Sequence, residues 1–357
     1  MMSPSHSRVR VMVVEDSLVI RQLLAHIIAR DPRLVLAAAV GSAEEALQEI
    51  GRVQPDVISM DIRLPGMDGL EATRRIMSER PTPIVVIAGS VEDSALRISM
   101  NALRAGALSV VEKPVGVTSA GYDGIAETIC TQLYIMSQVP VVRRRSFAWR
   151  PEAATPSLAK EEARNVAHPT ILGIAASTGG PPALARILGA FPGDFPLPIL
   201  LVQHMGAPFM EGFASWLDGL IPLKARLARD QEIPAAGTVY VAPGDRHLLL
   251  SPAGTLRLSA APPVGGQRPS ATLMFESIAE SVGAKGLGVL LTGMGEDGAK
   301  GLTDLRRAGG YTVAEHESTA VVYGMPAAAV KMGGARVSLP LDLIAPRLLR
   351  LAKGEGE

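Results

Sequence analysis

The first third of the chain alternates short apolar runs with segments of helical spacing. Apolar side chains recur from Ile20 to Ile28 along one helix face, and Ser42 with Glu45 has the spacing of a helix-capping box. This alternation predicts a parallel sheet covered by helices on both faces. The predicted strands are Val11–Val14, Leu34–Val40, Val57–Met60, Ile84–Ile87 and Leu108–Val111.

The pattern fades after Val139 and returns near Ile171. The segment between them is rich in proline, alanine and charged residues, which is typical of a linker. Beyond it, buried strands are predicted again, and Pro181 or Pro182 suits the first turn of a helix. Runs separated by Pro-Gly-Asp and Pro-Ala-Gly turns predict antiparallel hairpins. The buried strands are Ile171–Ala175, Ile199–Val202 and Gly288–Leu291, and the hairpin strands are Thr238–Ala242, His247–Ser251 and Thr255–Ser259.

The sequence therefore predicts an α/β fold with two doubly wound parallel-sheet domains, the second of which carries an antiparallel hairpin. A chain of 357 residues is long enough for two domains that each bury a core. We expect the first domain over residues 8–135, a linker over 136–168 and the second domain over 169–355.

Composition and charge narrow the functional class. The 35 Lys and Arg residues balance 35 Asp and Glu residues, which argues against nucleic-acid binding because such proteins carry a basic surface. The single cysteine, Cys130, excludes a disulfide framework and a cysteine-based zinc site. No run approaches the ~18 apolar residues of a membrane span, and Met1 to Arg10 lacks a signal-peptide core. We expect a soluble, cytoplasmic protein that is not inserted in a membrane.

Acidic side chains follow two strands of the first predicted sheet. Glu15 and Asp16 follow the first strand, Asp61 follows the third, and Lys113 follows the fifth. Carboxyl ends of parallel strands meet at one edge, so these groups are expected to form one pocket. Carboxylate oxygens suit Mg²⁺, and an Asp carboxylate can accept a phosphoryl group, whose charge Lys113 would pair with. Taken singly, each acidic residue could instead cap a helix or form a turn.

A second set of candidate groups lies in the second half. Ser177 stands between a strand and a glycine-rich helix start, where backbone N–H groups favour a developing anion, although such a serine can also cap a helix or hold a phosphate. His204, after the next strand, is the best-placed base, with His247 and His316 as alternatives. Asp297, after a third strand, could orient the imidazole or merely form an Asp-Gly turn.

The run Asp61–Gly69, with the acidic residues and the Lys113-Pro114 pair, resembles the receiver domain of two-component response regulators. The resemblance implies a flavodoxin-like fold with Asp61 as the phosphorylated residue. It also implies Mg²⁺ held by Glu15, Asp16, Asp61 and a backbone carbonyl near Arg63, and a histidine kinase as phosphodonor.

The receiver pattern departs from its family at the positions that respond to phosphorylation. Lys113 is present, but Ala88 stands where a Ser or Thr is usual, with Ser90 as a possible substitute. Val110 stands where an aromatic residue is usual. We therefore expect phosphorylation to be intact and its transmission to be altered.

The second domain resembles the catalytic domain of chemotaxis protein-glutamate methylesterases. The matching runs are Ala176–Pro181, Gln203–Met205, Ala242–Gly244 with His247, Arg268–Ser270, Leu291–Gly298 and Val321–Pro326. The resemblance implies a serine hydrolase domain with Ser177 as nucleophile, His204 as base and Asp297 as its orienting acid. It also implies oxyanion donors among backbone N–H groups near Thr178 and Met294.

Three departures from the methylesterase pattern leave these candidates untouched. Gly206 replaces a usual Pro, Thr272 replaces a usual Asp, and the run Ala314–Glu317 replaces Ala-Gln-Asp-Glu. We expect them to change substrate contacts or local packing.

The expected function is a phosphorylation-controlled hydrolase that removes methyl esters from glutamates of methyl-accepting chemotaxis receptors. The resemblance also implies deamidation of receptor glutamines, with Mg²⁺ in the receiver and no cofactor for the esterase reaction. One alternative is a regulator that acts only by binding, with an inactive second domain. A DNA-binding regulator is the other, against which the zero net charge argues.

Overall fold

The computed structural model of the chain describes residues 8–89, 102, 105–114, 122–139 and 168–354. Ser90 and most of the predicted linker lie outside these ranges. The chain divides into two compact units, Met1–Trp149 and Arg150–Glu357, which are described separately below. Within the described ranges, no helix combines the length and the apolar character needed to cross a membrane.

The first unit is a five-stranded parallel sheet with the strand order β2-β1-β3-β4-β5, as in flavodoxin-like folds. All five strands predicted from apolar runs are present, with ends shifted by at most two residues. The elements are β1 (Val9–Val14), α1 (Leu18–Arg30), β2 (Leu34–Val40), α2 (Ala43–Val53), β3 (Val57–Met60), α3 (Gly69–Glu79), β4 (Ile84–Ala88), β5 (Ser109–Glu112) and α4 (Tyr122–Met136).

Polar caps fix where the helices of this unit begin. The Ser42 hydroxyl accepts a hydrogen bond from Glu45 N at 3.2 Å, as the capping-box spacing predicts. The Glu45 carboxylate reaches back to Gly41 N at 2.9 Å, one residue before the cap. Asp68 likewise accepts from Glu71 N at 2.8 Å and starts α3. These helices begin just beyond the carboxyl ends of the strands. The acidic residues lie at this same edge of the sheet.

The second unit is a seven-stranded parallel sheet with the order β14-β13-β12-β6-β7-β9-β8, beside a two-stranded hairpin of β10 and β11. Its first elements are β6 (Ile171–Ala176), α5 (Gly180–Gly189), β7 (Ile199–Gln203), a 3₁₀ turn (Ala207–Phe209), α6 (Met210–Asp218), β8 (Lys224–Leu227), β9 (Thr238–Val241), β10 (His247–Leu250) and β11 (Leu256–Ser259). The remainder are α7 (Ala271–Val282), a 3₁₀ turn (Gly283–Lys285), β12 (Gly286–Leu290), α8 (Ala299–Arg307), β13 (Tyr311–Glu315), α9 (Met325–Lys331), β14 (Val337–Leu339) and α10 (Leu341–Ala352).

One hairpin prediction was wrong. The run Thr238–Ala242 was expected to belong to an antiparallel hairpin, but β9 pairs in parallel with both β7 and β8. All four of its residues are buried, which is typical of a strand inside a parallel sheet. The antiparallel hairpin is formed by β10 and β11 alone, where His247 pairs with Ser259.

Strand register brings three loops of the second unit to one sheet edge. β6 lies between β7 and β12, and the last register pair of β6 with β7 joins Ala176 to Gln203. On the other side, Ala175 pairs with Leu290 of β12. The residues that follow these strands therefore emerge side by side. Helix α5 starts there with two prolines in its first turn, as predicted.

Candidate functional site

The acidic pocket of the first unit forms as the sequence predicts. Carboxylate oxygens of Glu15, Asp16 and Asp61 lie within 4.8 Å of one another. Lys113 Nζ is 2.7 Å from Asp61 Oδ2 and 2.8 Å from Glu15 Oε2. The opposite oxygen, Asp61 Oδ1, accepts a hydrogen bond from Ile62 N at 2.7 Å. The pocket therefore holds Asp61 between a lysine and the backbone of the following loop.

The charges of this pocket favour a bound cation. Burial raises the pKa of Glu15 and the nearby Asp61 charge adds to this effect, while Lys113 opposes it. Burial would lower the pKa of Lys113, but its hydrogen bonds to Asp61 and Glu15 outweigh burial and raise it. Three carboxylates face one ammonium group, that of Lys113, so the pocket keeps an excess of negative charge. An all-oxygen donor set with excess negative charge fits Mg²⁺.

Ala88 and Lys113 lie on neighbouring strand ends. Ala88 is the last residue of β4, is buried, and pairs with Glu112 of β5. Its carbonyl accepts a hydrogen bond from Lys113 N at 2.9 Å. The side chain at this strand end is thus a methyl group in place of the usual hydroxyl. Ser90, which could supply a hydroxyl instead, lies outside the described residues.

In the second unit, Ser177 directly follows β6 and is held by backbone and side-chain contacts. Its N–H donates to Thr292 O at 3.0 Å, and its carbonyl accepts from Gly180 N at 2.9 Å. The same carbonyl accepts from Gln203 Nε2 at 2.8 Å. Ser177 is half-buried, and its hydroxyl makes no hydrogen bond to another described residue. The hydroxyl is therefore left available for a substrate.

His204 and Asp297 form a hydrogen-bonded pair beside this serine. His204 Nε2 lies 2.9 Å from Asp297 Oδ2, and each side chain is only 8% exposed. Asp297 Oδ1 accepts from Ser270 Oγ at 2.8 Å and Thr272 N at 3.0 Å. Asp297 Oδ2 also accepts from Ala271 N at 2.7 Å. The carboxylate thus sits at the N-terminus of α7, where unpaired N–H groups stabilise negative charge.

These contacts keep Asp297 ionised and orient the imidazole. Burial alone would raise the pKa of Asp297, but His204 and the N–H groups of Ala271 and Thr272 hold it well below its usual range. An anionic Asp297 favours a proton on His204 Nε2. Nδ1 is then the unprotonated ring nitrogen, the one that can accept a proton.

Gln203 is a site residue whose role the sequence reasoning missed. It is buried at the end of β7, and its Nε2 donates to both Ser177 O at 2.8 Å and His204 O at 3.0 Å. One amide therefore ties together the strand ends that carry the serine and the histidine. A buried polar residue at the last position of an apolar strand was the available signal.

The two alternative histidines are engaged elsewhere. His247 is fully buried; its Nδ1 accepts from Ser270 N at 3.1 Å, and its Nε2 lies 3.1 Å from Pro262 O. His247 therefore supports Ser270, which in turn contacts Asp297. His316 Nδ1 accepts from Ser318 N at 3.2 Å. Of the three candidates, His204 is the one that contacts Asp297.

The backbone around the predicted oxyanion donors is tightly placed. Thr178 is buried directly after Ser177, and Met294 is half exposed. Gly293, just before Met294, has its carbonyl fixed by Met325 N at 2.8 Å. A Cβ on Gly293 would lie 2.7 Å from Ser177 Cβ, so only glycine fits at this approach. Thr178 and Met294 therefore both flank Ser177.

Two departures from the methylesterase pattern have visible structural roles. The Thr272 hydroxyl accepts a hydrogen bond from Gly298 N at 2.8 Å and so anchors the loop that carries Asp297. Glu315 is fully buried at the end of β13 and accepts from Thr292 N at 2.9 Å. Nothing in the structure explains Gly206, which directly precedes the 3₁₀ turn after β7.

The fold and site together define a response-regulator receiver joined in one chain to an α/β hydrolase domain. Residues 11–119 match the family described as response regulator receiver domain, and residues 172–348 match CheB methylesterase. The chain belongs to the family of protein-glutamate methylesterases/protein-glutamine glutaminases with an N-terminal receiver, a family of hydrolases.

Curated relatives cover nearly the whole chain. A protein-glutamate methylesterase/protein-glutamine glutaminase from Paramagnetospirillum magneticum is 55% identical over 97% of this chain and 98% of its own length. One from Myxococcus xanthus is 43% identical over the same shares. The crystal structure of the Thermotoga maritima CheB methylesterase catalytic domain has a TM-score of 0.50 at 38% identity, covering 51% of this chain and 98% of that one.

The predicted family, the two-domain α/β fold class and the hydrolase class are confirmed by these similarities. Control by phosphorylation is implied by the receiver. The roles of individual site residues and the exact domain boundaries stay predictions.

Proposed function

We propose that this chain hydrolyses methyl esters of glutamate side chains in methyl-accepting chemotaxis receptors and releases methanol. The same acyl transfer would deamidate receptor glutamines. The observation that carries the proposal is the buried hydrogen bond of 2.9 Å between His204 and Asp297, at the sheet edge where Ser177 follows β6.

The acyl-transfer steps follow from the positions of these groups. The Ser177 hydroxyl attacks the ester carbonyl while His204 Nδ1 takes its proton. The imidazolium that results is stabilised by Asp297, and it returns the proton to the leaving methoxide to release methanol. A water molecule activated by His204 then cleaves the acyl-enzyme. The serine–histidine hydrogen bond is expected to form when substrate binds, since such contacts often tighten only in the complex.

The negative charge of the tetrahedral intermediate needs donors beside Ser177. We assign this role to backbone N–H groups at Thr178 and Met294, which flank the serine from two different loops. Preorganised donors of this kind are worth about 10²–10³-fold in rate each. The fixed Gly293 carbonyl supports this assignment because it holds the Met294 peptide in place.

In the receiver, Asp61 is the proposed phosphorylation site and a histidine kinase the proposed donor. Glu15, Asp16 and Asp61 would hold Mg²⁺, which supplies charge neutralisation for phosphoryl transfer when it is bound. Lys113, 2.7 Å from Asp61, would pair with the added phosphoryl charge. We assign residues 8–135 to the receiver, 136–168 to the linker and 169–355 to the catalytic domain.

The proposal is tested by mixing the full-length protein with methylated receptor membranes and measuring methanol. Membranes that carry unmethylated receptors are the control. Methanol release that depends on receptor methylation is expected. A chain that binds the receptors and releases no methanol, before or after phosphorylation, would be a regulator that acts only by binding.

A further inference from the structure

A buried carboxyl group lies directly behind the serine loop. Glu315 ends β13 and is 0% exposed. Its Oε2 accepts a hydrogen bond from Thr292 N at 2.9 Å. Its Oε1 is also buried and accepts no well-aligned hydrogen bond from a described residue, since the nearby Thr319 hydroxyl donates to His316 O instead. The proposed chemistry does not use this side chain, so its burial requires a separate explanation.

Thr292 connects Glu315 to Ser177 and to Thr178, which follows it. The Thr292 carbonyl accepts the hydrogen bond from Ser177 N at 3.0 Å. Its hydroxyl donates to Thr178 O at 2.9 Å. The residue is fully buried and lies two positions before Met294. Glu315 therefore fixes the residue whose carbonyl and hydroxyl hold Ser177 and Thr178.

The surroundings of Glu315 favour an uncharged side chain. The neighbouring strands β12 and β14 carry no titratable residue. Among the described residues, the charged group that acts on the carboxyl is Arg186 of α5, which is exposed and ion-paired with Asp342 of α10 at 2.5 Å. His316, the next residue along the chain, is hydrogen-bonded to Ser318. On α8, Lys300 pairs with Glu276 and Asp304.

Burial therefore has the largest effect on this group. It raises the pKa of Glu315 above its ordinary value, while Thr292 N–H, the Thr319 hydroxyl and Arg186 act in the opposite direction. Ionising the carboxyl in place would bury a charge that only the Thr292 N–H bonds directly, which favours the neutral acid. As the acid, Glu315 can still accept from Thr292 N through its carbonyl oxygen.

We propose that Glu315 is a positioning residue that acts as the neutral acid, holding Thr292 and thereby Ser177 and Thr178. This inference rests on the proposed esterase function. When Glu315 loses its proton, the Thr292 N–H alone cannot offset the cost of burying the charge. The carboxylate then moves toward water or the Arg186 guanidinium, and this movement displaces it from Thr292 N. Activity then falls as pH rises through the raised pKa of Glu315.

The kinetic test compares kcat and KM for methanol release across pH in four full-length proteins. Glu315→Gln keeps an acceptor for Thr292 N but cannot ionise, whereas Glu315→Leu lacks the acceptor. Glu317→Gln removes an exposed carboxylate two residues away and is the matched control. We expect Glu315→Gln to keep kcat within about twofold at neutral pH and to lose the alkaline fall. Glu315→Leu should lose about tenfold in kcat with KM little changed, as for one lost hydrogen bond.

An infrared titration tests the protonation state without any activity. The difference spectrum between wild type and Glu315→Gln should show the carbonyl stretch of a protonated carboxyl at neutral pH, and this band should disappear at alkaline pH. Absence of the band at neutral pH, or an unchanged alkaline fall in Glu315→Gln, overturns the proposal even if the enzyme is active. A protonated Glu315 in a wild-type protein that releases no methanol instead contradicts the proposed function.

Discussion

At the scale of single residues, the best-defined feature is the carboxylate of Asp297 at the start of α7. Three donors from Ser270, Ala271 and Thr272 converge on it, and the fourth contact is His204. A neutral group in this place would no longer favour the proton on His204 Nε2. The orientation and tautomer of the proposed base therefore depend on this one charge.

Replacing Asp297 by Asn should lower kcat by on the order of 10³–10⁴-fold with little change in KM, because the amide favours the wrong histidine tautomer. Methanol release from methylated receptor membranes measures the effect. Asp245→Asn removes an exposed carboxylate from a turn and should behave as wild type. Equal losses in the two variants would remove Asp297 from the mechanism.

The sequence predicted the principal candidates at this scale but not the residues that support them. Ser177, His204 and Asp297 each follow a buried strand, so their meeting at one edge followed from sheet topology. The contacts of Gln203 and His247 depend on where side chains point within loops. Strand order and residue spacing carry no information about these side-chain directions. For the same reason, the positions of the histidines in the sequence left His247 as an alternative base.

At the scale of elements, the start of α5 shows how closely the serine loop is packed. A Cβ on Gly180 would overlap Gln203 Oε1 and lie 2.8 Å from Ala176 Cβ. Gly189, at the other end of the same helix, has no atom within 4 Å of such a Cβ. The two glycines therefore provide a matched comparison within one helix.

Gly180→Ala should displace the Gln203 amide, release the Ser177 and His204 carbonyls, and lower both thermal stability and methanol release. Gly189→Ala should leave activity unchanged and raise stability by at most about 0.5–1 kcal/mol, since alanine is the better helix former and Gly189 is the last residue of α5. Thermal unfolding and methanol assays on both variants measure this. A Gly180→Ala protein with normal turnover would show that Gln203 does not position the site.

Apolar runs predicted the central strands and failed for shorter or mixed ones. The predicted runs in β1, β3, β6 and β7 lie in strands that are buried almost throughout. β8 reads Lys-Ala-Arg-Leu and is partly exposed, so no apolar run marked it. β9 was predicted as a strand, but the prediction of its pairing partners was wrong. Nearby turns suggested a hairpin, and pairing between distant segments is not visible in local sequence.

At the scale of the whole molecule, the receiver must accept phosphate before it can regulate. Incubation with acetyl phosphate and Mg²⁺ should add one phosphoryl mass to wild type and none to Asp61→Asn, as intact-mass spectrometry would show. Asp123→Asn, an exposed residue of α4, is the control and should label normally. Labelling of Asp61→Asn at the wild-type level would place the phosphosite elsewhere.

Ala88 should weaken the response of the catalytic domain to that phosphate. If the unphosphorylated receiver inhibits, a fragment from residue 169 onward should be more active than the full chain, and phosphorylation should recover only part of the difference. Ala88→Ser should recover more, because one hydrogen bond to a charged group contributes roughly 1.5–3 kcal/mol to such an equilibrium. Equal activity of fragment and full chain would show that the receiver does not inhibit. An unchanged response of Ala88→Ser would exclude Ala88 as the cause of weak coupling.

The central claim is that Ser177 is the nucleophile of a receptor methylesterase. It is tested most directly by measuring methanol from methylated receptor membranes with wild type, Ser177→Ala and the exposed control Ser318→Ala. Ser177→Ala should unfold at the wild-type temperature and release no methanol above background, because members of a catalytic triad act as a unit. Ser318→Ala should turn over normally. Near-normal methanol release by folded Ser177→Ala protein would contradict the account.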